Sequence, residues 1–230
     1  MTKDYCKSRA LLASALLMTM ALITPLSCNS NKEKPGAGLE FLSETAPISG
    51  DTTLCRQSRN VPTFTDIYLI DAEKLEVEVG KQCAISLEGP KCYVDSMVTK
   101  VTNGTLFIKY KNIDTEYRKV KVHVTIPYLQ EMEVTGCNLC EVTGENRYTD
   151  FVYIELKNVN VASFEPVISA KSLTLSLTGT KSSFFQVDVG LLNFKTYHVN
   201  NVEISGKAIS ANFNIDRPDR IDRSRLIVEK

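Results

Sequence analysis

The stretch EVTGCNLC, residues 133–140, decides the fold because versions of it recur at a nearly constant interval. The matching windows are ELKNVNVA (155–162), SLTGTKSS (176–183) and HVNNVEIS (198–205). The second residue of each window is apolar, and successive copies are 22, 21 and 22 residues apart: Val134, Leu156, Leu177 and Val199. Two positions later each window carries a residue that enters the left-handed backbone region at low cost: Gly136, Asn158, Gly179 and Asn201. The windows therefore predict a chain that bends at the same phase of every repeat.

Between these bends, apolar and polar residues alternate with period 2, which is typical of strands with one buried face. The clearest examples are LEVEV (75–79), TLFIKY (105–110), VKVHVTI (120–126), VYIEL (152–156), LTLSL (173–177), VEIS (202–205) and ANFNI (211–215). Asn103-Gly104 predicts a two-residue hairpin turn, so we expect some antiparallel pairing in the N-terminal half. Strands and corners at a period of about 21–22 residues predict an all-β fold of the β-solenoid or β-helix type. A β-sandwich is the alternative.

The N-terminus has the pattern of an export signal. A basic start precedes the uncharged run from Ala10 to Leu26, and Cys28 follows it in a context that resembles a bacterial lipobox. We predict a lipoprotein signal peptide at 1–27, lipid attachment at Cys28 and a flexible tether at 28–40. One β-solenoid domain would then span 41–230, with a capping segment at about 216–230. The expected location is the cell envelope, as a membrane-anchored lipoprotein of the outer membrane.

Charge excludes one class of partner. Lys plus Arg equals Asp plus Glu at 27 each, and residues 1–27 contain three basic residues and one acidic residue. The mature chain is therefore slightly acidic and lacks the basic surface of a nucleic-acid-binding protein. We predict no nucleic-acid partner.

The cysteines after Cys28 number five, at positions 55, 83, 92, 137 and 140. Export permits disulfides, and Cys83 with Cys92, which flank a turn-like EGP at 88–90, form the candidate bridge. Cys137 and Cys140 have the C-x-x-C spacing of redox and zinc sites. Residues three apart in extended chain point to opposite faces, and both cysteines share repeat positions with small or β-branched residues. We therefore interpret both as packing residues and predict no metal site and no cofactor.

One outward repeat position carries Glu133, Glu155, Ser176 and His198, which are the ingredients of a hydrolytic triad. Coil order would place Ser176 between the acid and the histidine, whereas a triad needs the histidine in the middle. We therefore predict no catalytic residues. Glu133, Glu155, His198 and the outward aromatic Tyr153 remain candidate ligand contacts on a solvated sheet surface.

The sequence resembles the family described as "putative auto-transporter adhesin, head GIN domain". The segments that carry the resemblance are RNVPTFTDIYLIDAEKLEVEVG (59–80), MVTKVTNGTLFIKYKN (97–112), VKVHVTIPYLQEMEVTGCNLCEVTG (120–144) and SLTLSLTGT (172–180). The resemblance covers about residues 59–216 and implies an exported Bacteroidetes protein with a β-solenoid-like fold. It transfers no catalytic residue. Asn158 and Asn201 stand where the family usually has Gly, which the corner accommodates.

The function predicted from the sequence is a non-enzymatic, lipid-anchored envelope protein that binds a polysaccharide or a protein through an extended β surface. A carbohydrate-active β-helix enzyme is the first alternative. A structural or assembly protein that oligomerises through an end coil or an exposed strand edge is the second.

Overall fold

The computed structural model describes residues 50–111 and 119–229, which form an all-β structure and so confirm the predicted class. A six-residue helix, α1 (Lys91–Ser96), and a short 3-10 turn (Pro218–Arg220) interrupt the strands. The described strands are β1 (Leu54–Arg59), β2 (Asp66–Val79), β3 (Ala84–Pro90), β4 (Met97–Thr102), β5 (Thr105–Tyr110), β6 (Lys121–Ile126), β7 (Leu129–Gly144), β8 (Tyr148–Phe164), β9 (Ile168–Thr178), β10 (Ser182–Tyr197), β11 (Asn201–Ile215), β12 (Ile221–Asp222) and β13 (Leu226–Val228).

These strands join into one large open sheet in the order β1-β3-β6-β2-β7-β8-β9-β10-β11-β12. From β2 to β12 every neighbouring pair on this path is parallel, and β13 adds a further parallel pairing to β11. Strands that follow one another in sequence are therefore neighbours in space throughout the second half. The predicted capping segment supplies β12 and β13 in its described part.

The repeat found in the sequence is a set of aligned parallel strands. Val134 pairs with Leu156, and Leu156 pairs with Leu177, as the 22- and 21-residue intervals predict. The fourth copy is wrong, because Leu177 pairs with Thr196 rather than Val199. The interval from β9 to β10 is thus 19 residues, and the same interval joins Ser182 to Asn201 in the next strand.

The corners are confirmed at three of the four predicted positions. Gly136, Asn158 and Gly179 all have φ between 53° and 71°. The corner of the shorter repeat is His198, with φ 54°, whereas Asn201 is an ordinary strand residue paired with Ser182. Repeat length outweighs the local preference of Asn for this conformation, since the corner must lie where the preceding strand ends.

The N-terminal half contains the expected antiparallel pairing. Asn103 and Gly104, both with positive φ, form the turn between β4 and β5 and confirm the predicted hairpin. In addition, β3 lies between β1 and β6 and is antiparallel to both. The position of β3 between β1 and β6 therefore brings together residues that are distant in sequence.

Rows of inward side chains on successive strands form the core. One such row is Leu69, Val134, Leu156, Leu177 and Thr196, in which every residue is at most 3% exposed. A neighbouring row contains Ile67, Met132, Ile154, Leu175 and Phe194. Inward residues of neighbouring strands lie side by side along these rows, so the alternation of period 2 fixes which side of each strand is buried.

The positive φ of Asn158 limits which residues this corner can accept without loss of stability. A β-branched residue pays a steric penalty at φ 53°, whereas glycine does not. Asn158→Val is expected to lower the free energy of unfolding by about 2 kcal/mol, and Asn158→Gly by well under 1 kcal/mol. Urea unfolding followed by circular dichroism measures both, and equal losses for the two variants would contradict the role of backbone conformation.

The predicted signal peptide, Cys28 and the tether at 28–40 lie outside the described residues. In the described part of the chain, no helix has the length and apolar character needed to cross a membrane.

Candidate functional site

Two rows of outward side chains run across the parallel strands, and together we call them the front surface. In register, the first row contains Tyr68, Glu133, Glu155, Ser176, Lys195 and Asn214. The second contains Asp66, Glu131, Tyr153, Thr174, Asn193 and Asn212. Phe107 of the β4–β5 hairpin extends the first row beyond Tyr68. These residues alternate with the inward core residues, and neighbouring strands hold them about 4.8 Å apart.

The front surface brings together three of the four ligand-contact candidates. Glu133 and Glu155 are directly paired, and Tyr153 lies in the adjoining row between Glu131 and Thr174. His198 is not part of it, and its prediction as an outward strand residue is wrong. As a corner residue, His198 donates its backbone N–H to Asp216 Oδ2 at 2.7 Å and stacks its ring on Tyr197 at 4.0 Å. Lys195, which pairs with Ser176, holds the position in the first row that was expected for His198.

One end of the front surface is aromatic. The rings of Tyr68 and Phe107 lie 5.4 Å apart with an interplanar angle of 50°, and both side chains are partly exposed. Tyr153, also partly exposed, lies one strand beyond Glu133. The pattern of the sequence singled out Tyr153 but not Tyr68 and Phe107, because their strands become neighbours only through the parallel pairing of β2 with β5.

The same end is acidic. Glu131, Glu133 and Glu155 surround Tyr153, and Lys157 Nζ contacts Glu155 Oε2 at 2.6 Å. Burial, and then the negative charges of Glu155 and Glu133, raise the pKa of Tyr153 to about 12. Hydrogen bonding to Glu155 raises the pKa of Lys157. Tyr153 is therefore a neutral phenol at physiological pH, and its hydroxyl, which is hydrogen-bonded to Glu155, can still accept a hydrogen bond from a ligand.

The other end of the front surface is a ladder of neutral polar groups. Asn212 Nδ2 donates to Asn193 Oδ1 at 2.9 Å, and Asn193 Nδ2 contacts Thr174 Oγ1 at 3.5 Å. Ser176, Lys195 and Asn214 run beside this ladder. Amides and hydroxyls both donate and accept hydrogen bonds, so the ladder suits a ligand rich in hydroxyl or amide groups.

The arrangement of the front surface favours binding over hydrolysis. Ser176 lies between Glu155 and Lys195, so no triad forms there. Clefts of about 480, 490 and 570 Å³ lie on other parts of the molecule. Across residues 50–111 and 119–229, no group of three or more His, Cys, Asp or Glu side chains is arranged to hold a metal ion.

The side-chain directions of Cys137 and Cys140 differ from those expected for residues three apart in an extended chain. Cys137 and Cys140 are both fully buried, so they do not point to opposite faces. The corner that begins at Gly136 also takes in Asn138, whose side chain is exposed and accepts a hydrogen bond from Asn160, and strand alternation restarts after it. Burial raises the pKa of the Cys140 thiol well above its usual value, which is the opposite of a redox nucleophile. Cys137 packs between Ala72 and Val159 in neighbouring strands.

The Cys83–Cys92 bridge is not formed. Both thiols are free, and Cys83 Sγ instead exchanges hydrogen bonds with the backbone of Phe64, at 3.3 and 3.4 Å. Cys92 lies in α1, where its side chain lies against Gly50.

A family model described as "Putative auto-transporter adhesin, head GIN domain" matches residues 63–230, and so takes in both rows of the front surface. The chain belongs to this family. Its GIN domain therefore spans all the described strands except β1. The family description is that of an adhesin, which points to binding rather than to catalysis. None of the curated protein sequences matches the chain.

Two solved structures that match this chain are of bacterial proteins. A protein from Parabacteroides distasonis, described as a putative lipid binding protein, has a TM-score of 0.57 and 17% identity over 72% of this chain and 80% of that chain. A putative adhesin from Bacteroides fragilis has a TM-score of 0.46 and 13% identity over 77% of this chain and 96% of that chain. At such identities, the first similarity concerns the fold alone.

Proposed function

We propose that this GIN-domain protein is an envelope adhesin whose front surface binds an extended polysaccharide. The observation that carries the proposal is the two-row front surface itself, with aromatic rings at one end and an amide and hydroxyl ladder at the other. Aromatic rings offer flat apolar area to the C–H faces of sugar rings, while carboxylates and amides fix the hydroxyl groups. Six parallel layers repeat these groups along one direction, which suits a polymer better than a small ligand.

The stacked layers also support the finer architecture that we propose, a β-solenoid that presents this surface on a rigid support. Intervals of 22, 21 and 19 residues between paired strands are close to one solenoid coil. The lipid on Cys28 and the tether at 28–40 would attach this support to the outer membrane. The basic start, the uncharged run and the cysteine at 28 support that attachment.

The carbohydrate-active enzyme remains the weaker alternative. Its support is the Glu133–Glu155 pair, because glycosidases use two carboxylates. Such enzymes enclose the scissile bond between these groups, whereas Glu133 and Glu155 are side by side on one sheet surface. Glu155 also forms an ion pair with Lys157.

Glycan-array binding with the ectodomain from residue 41 tests the proposal. We expect binding to one class of polymer, and Tyr153→Ala is expected to weaken it at least about tenfold, which is typical for an aromatic anchor of an interface. Phe184→Ala is the matched control, because Phe184 is 40% exposed but lies outside the front surface, opposite Ser163 and Glu203.

Three results would contradict polysaccharide binding by the front surface. An array without hits, together with capture of a purified envelope protein, would favour a protein ligand. Equal loss in Tyr153→Ala and Phe184→Ala would place the binding elsewhere. Release of shortened oligosaccharides from a bound polymer would favour the enzyme.

A further inference from the structure

A second polar site lies on β1, β3, β6 and β2, away from the front surface. It is a cleft of about 480 Å³, and the outward side chains that define it are Arg56, Ser58, Ser86, His123, Thr125 and Glu76. Ser58 and Ser86, which both line it, are paired across β1 and β3. We call it the His123 cleft.

His123 is held in one orientation inside this cleft. It lies between Ser86 on β3 and Glu76 on β2, and its Nδ1 contacts the carboxylate of Glu76. Partial burial alone would raise the pKa of Glu76, but the hydrogen bond from Lys74 and the charge on His123 outweigh it and lower that pKa. Glu76 is therefore ionised and accepts from Nδ1–H. The other nitrogen, Nε2, is buried and has no hydrogen-bond partner among the described residues.

The order Ser86, His123, Glu76 is that of a hydrolytic triad, but its geometry supports binding instead. Ser86 Oγ accepts a hydrogen bond from Arg56 at 3.4 Å and makes none to His123 Nε2. Because β3 is paired on both sides, its backbone N–H groups are used in the sheet and cannot form an oxyanion hole. The cleft is therefore lined by hydrogen-bonding groups without a catalytic arrangement.

The charged side chains that line the cleft beside His123 are two arginines, Arg56 and Arg59, and two carboxylates, Glu76 and Glu78. Each nearby carboxylate has a cationic neighbour: Glu76 contacts Lys74 at 2.5 Å, Glu78 contacts Lys81 at 2.6 Å, and Glu88 lies 3.7 Å from Lys121. Lys74 also contacts Glu141 at 2.7 Å. Arg56, in contrast, has the neutral hydroxyl of Ser86 as its hydrogen-bond partner. Glu88 Oε2 lies 4.0 Å from His123 Nε2, beyond hydrogen-bond distance.

We propose that the His123 cleft binds the anionic group of an acidic sugar residue, between the Arg56 guanidinium and the His123 ring and above the Ser86 hydroxyl. The sugar body would lie over Ser58 and Thr125, whose hydroxyls can bond to its ring substituents. Ser86 lies on the strand between them, pairs with His123 and accepts a hydrogen bond from Arg56, so an anionic group above Ser86 would lie beside both side chains. This site is distinct from the front surface and does not depend on the function proposed for it.

Calorimetric titration with D-glucuronate, D-glucose 6-sulfate and neutral D-glucose tests this site. Both anionic sugars are expected to bind at least about tenfold more tightly than glucose, since hydrogen bonds to charged groups are the stronger ones. Arg56→Gln and His123→Gln are each expected to weaken glucuronate binding about tenfold or more. Lys207→Gln is the charge-matched control, because Lys207 is exposed on β11 far from the cleft in sheet order.

Arg56 lies on the exposed edge strand, and Arg56→Gln therefore tests the cleft even where His123→Gln fails to fold. Equal binding of glucuronate and glucose, or wild-type glucuronate affinity in Arg56→Gln, would overturn the proposal. Tyr153→Ala is expected to leave glucuronate binding unchanged.

Discussion

Replacing Gly206 by alanine is expected to lower the free energy of unfolding by about 3 kcal/mol, combining a strained backbone with a steric overlap. Gly206 has φ +109°, and a Cβ there would collide with the carbonyl oxygen of Val187 and lie 2.9 Å from its nitrogen. Gly206 and Val187 are directly paired in β11 and β10. The two strands would have to separate, because backbone atoms cannot rotate away as a side chain does.

Gly104→Ala is the matched control for this prediction. Gly104 also has positive φ, at +81°, but the nearest atom to an added Cβ is Thr65 Oγ1 at 3.9 Å. Its substitution is expected to cost only about 1 kcal/mol, the backbone penalty alone. Because the chain has no tryptophan, urea unfolding is best followed by circular dichroism or tyrosine fluorescence. Similar losses in the two variants would show that β10 and β11 are not packed as closely as described.

Phe194→Ala is expected to destabilise the protein by about 4 kcal/mol, the usual cost of removing a buried phenylalanine ring. Phe194 is 1% exposed, pairs with Leu175 on one side and Phe213 on the other, and makes an edge-to-face contact with Phe213 at 6.3 Å. Neighbouring layers are held apart by their own backbone hydrogen bonds, so they cannot collapse into the space that the ring leaves.

Phe184→Ala is the control for Phe194→Ala, because it removes an aromatic ring of the same size from an exposed position. Phe184 belongs to the same strand as Phe194 but points outward and is 40% exposed. Its removal is expected to change stability by about 0.5 kcal/mol or less. A loss for Phe184→Ala as large as that for Phe194→Ala would mean that the strand is inverted, with its outward face buried.

Sequence reasoning predicted those parts of the fold that depend on local pattern. The alternation of period 2 located the strands, and Val134, Leu156 and Leu177 are aligned because their repeats have nearly equal length. The fourth copy failed because the windows were aligned on apolar and Asn residues, and HVNNVEIS offers Asn201 a few residues after the true corner at His198. Nothing local distinguishes these two alignments, since the deciding contact is the pairing of β10 with β9.

The front surface could be predicted from the sequence in part, whereas the His123 cleft could not. Glu133, Glu155 and Tyr153 were identified because they lie in consecutive repeats, where sequence interval equals spatial proximity. Ser86, His123 and Glu76 cannot be grouped from the sequence alone, because β3 and β6 are inserted beside β2 out of sequence order and in mixed directions. The pairing of strands so far apart in the chain is a property of the tertiary structure, and no spacing within the sequence expresses it.

The matched registers of β8, β10 and β11 make this chain modular. Val161 pairs with Ser182, and Ser182 pairs with Asn201, so Asn201 could take the place of Ser182 if one 19-residue repeat were removed. Deleting residues 180–198 would join Gly179, already a corner, directly to Val199 and let β11 take the place of β10 beside β8 and β9. Whole-module gain or loss is thus open to this architecture as a route to longer or shorter variants, whereas the insertion of a single residue inside a strand would invert its apolar side.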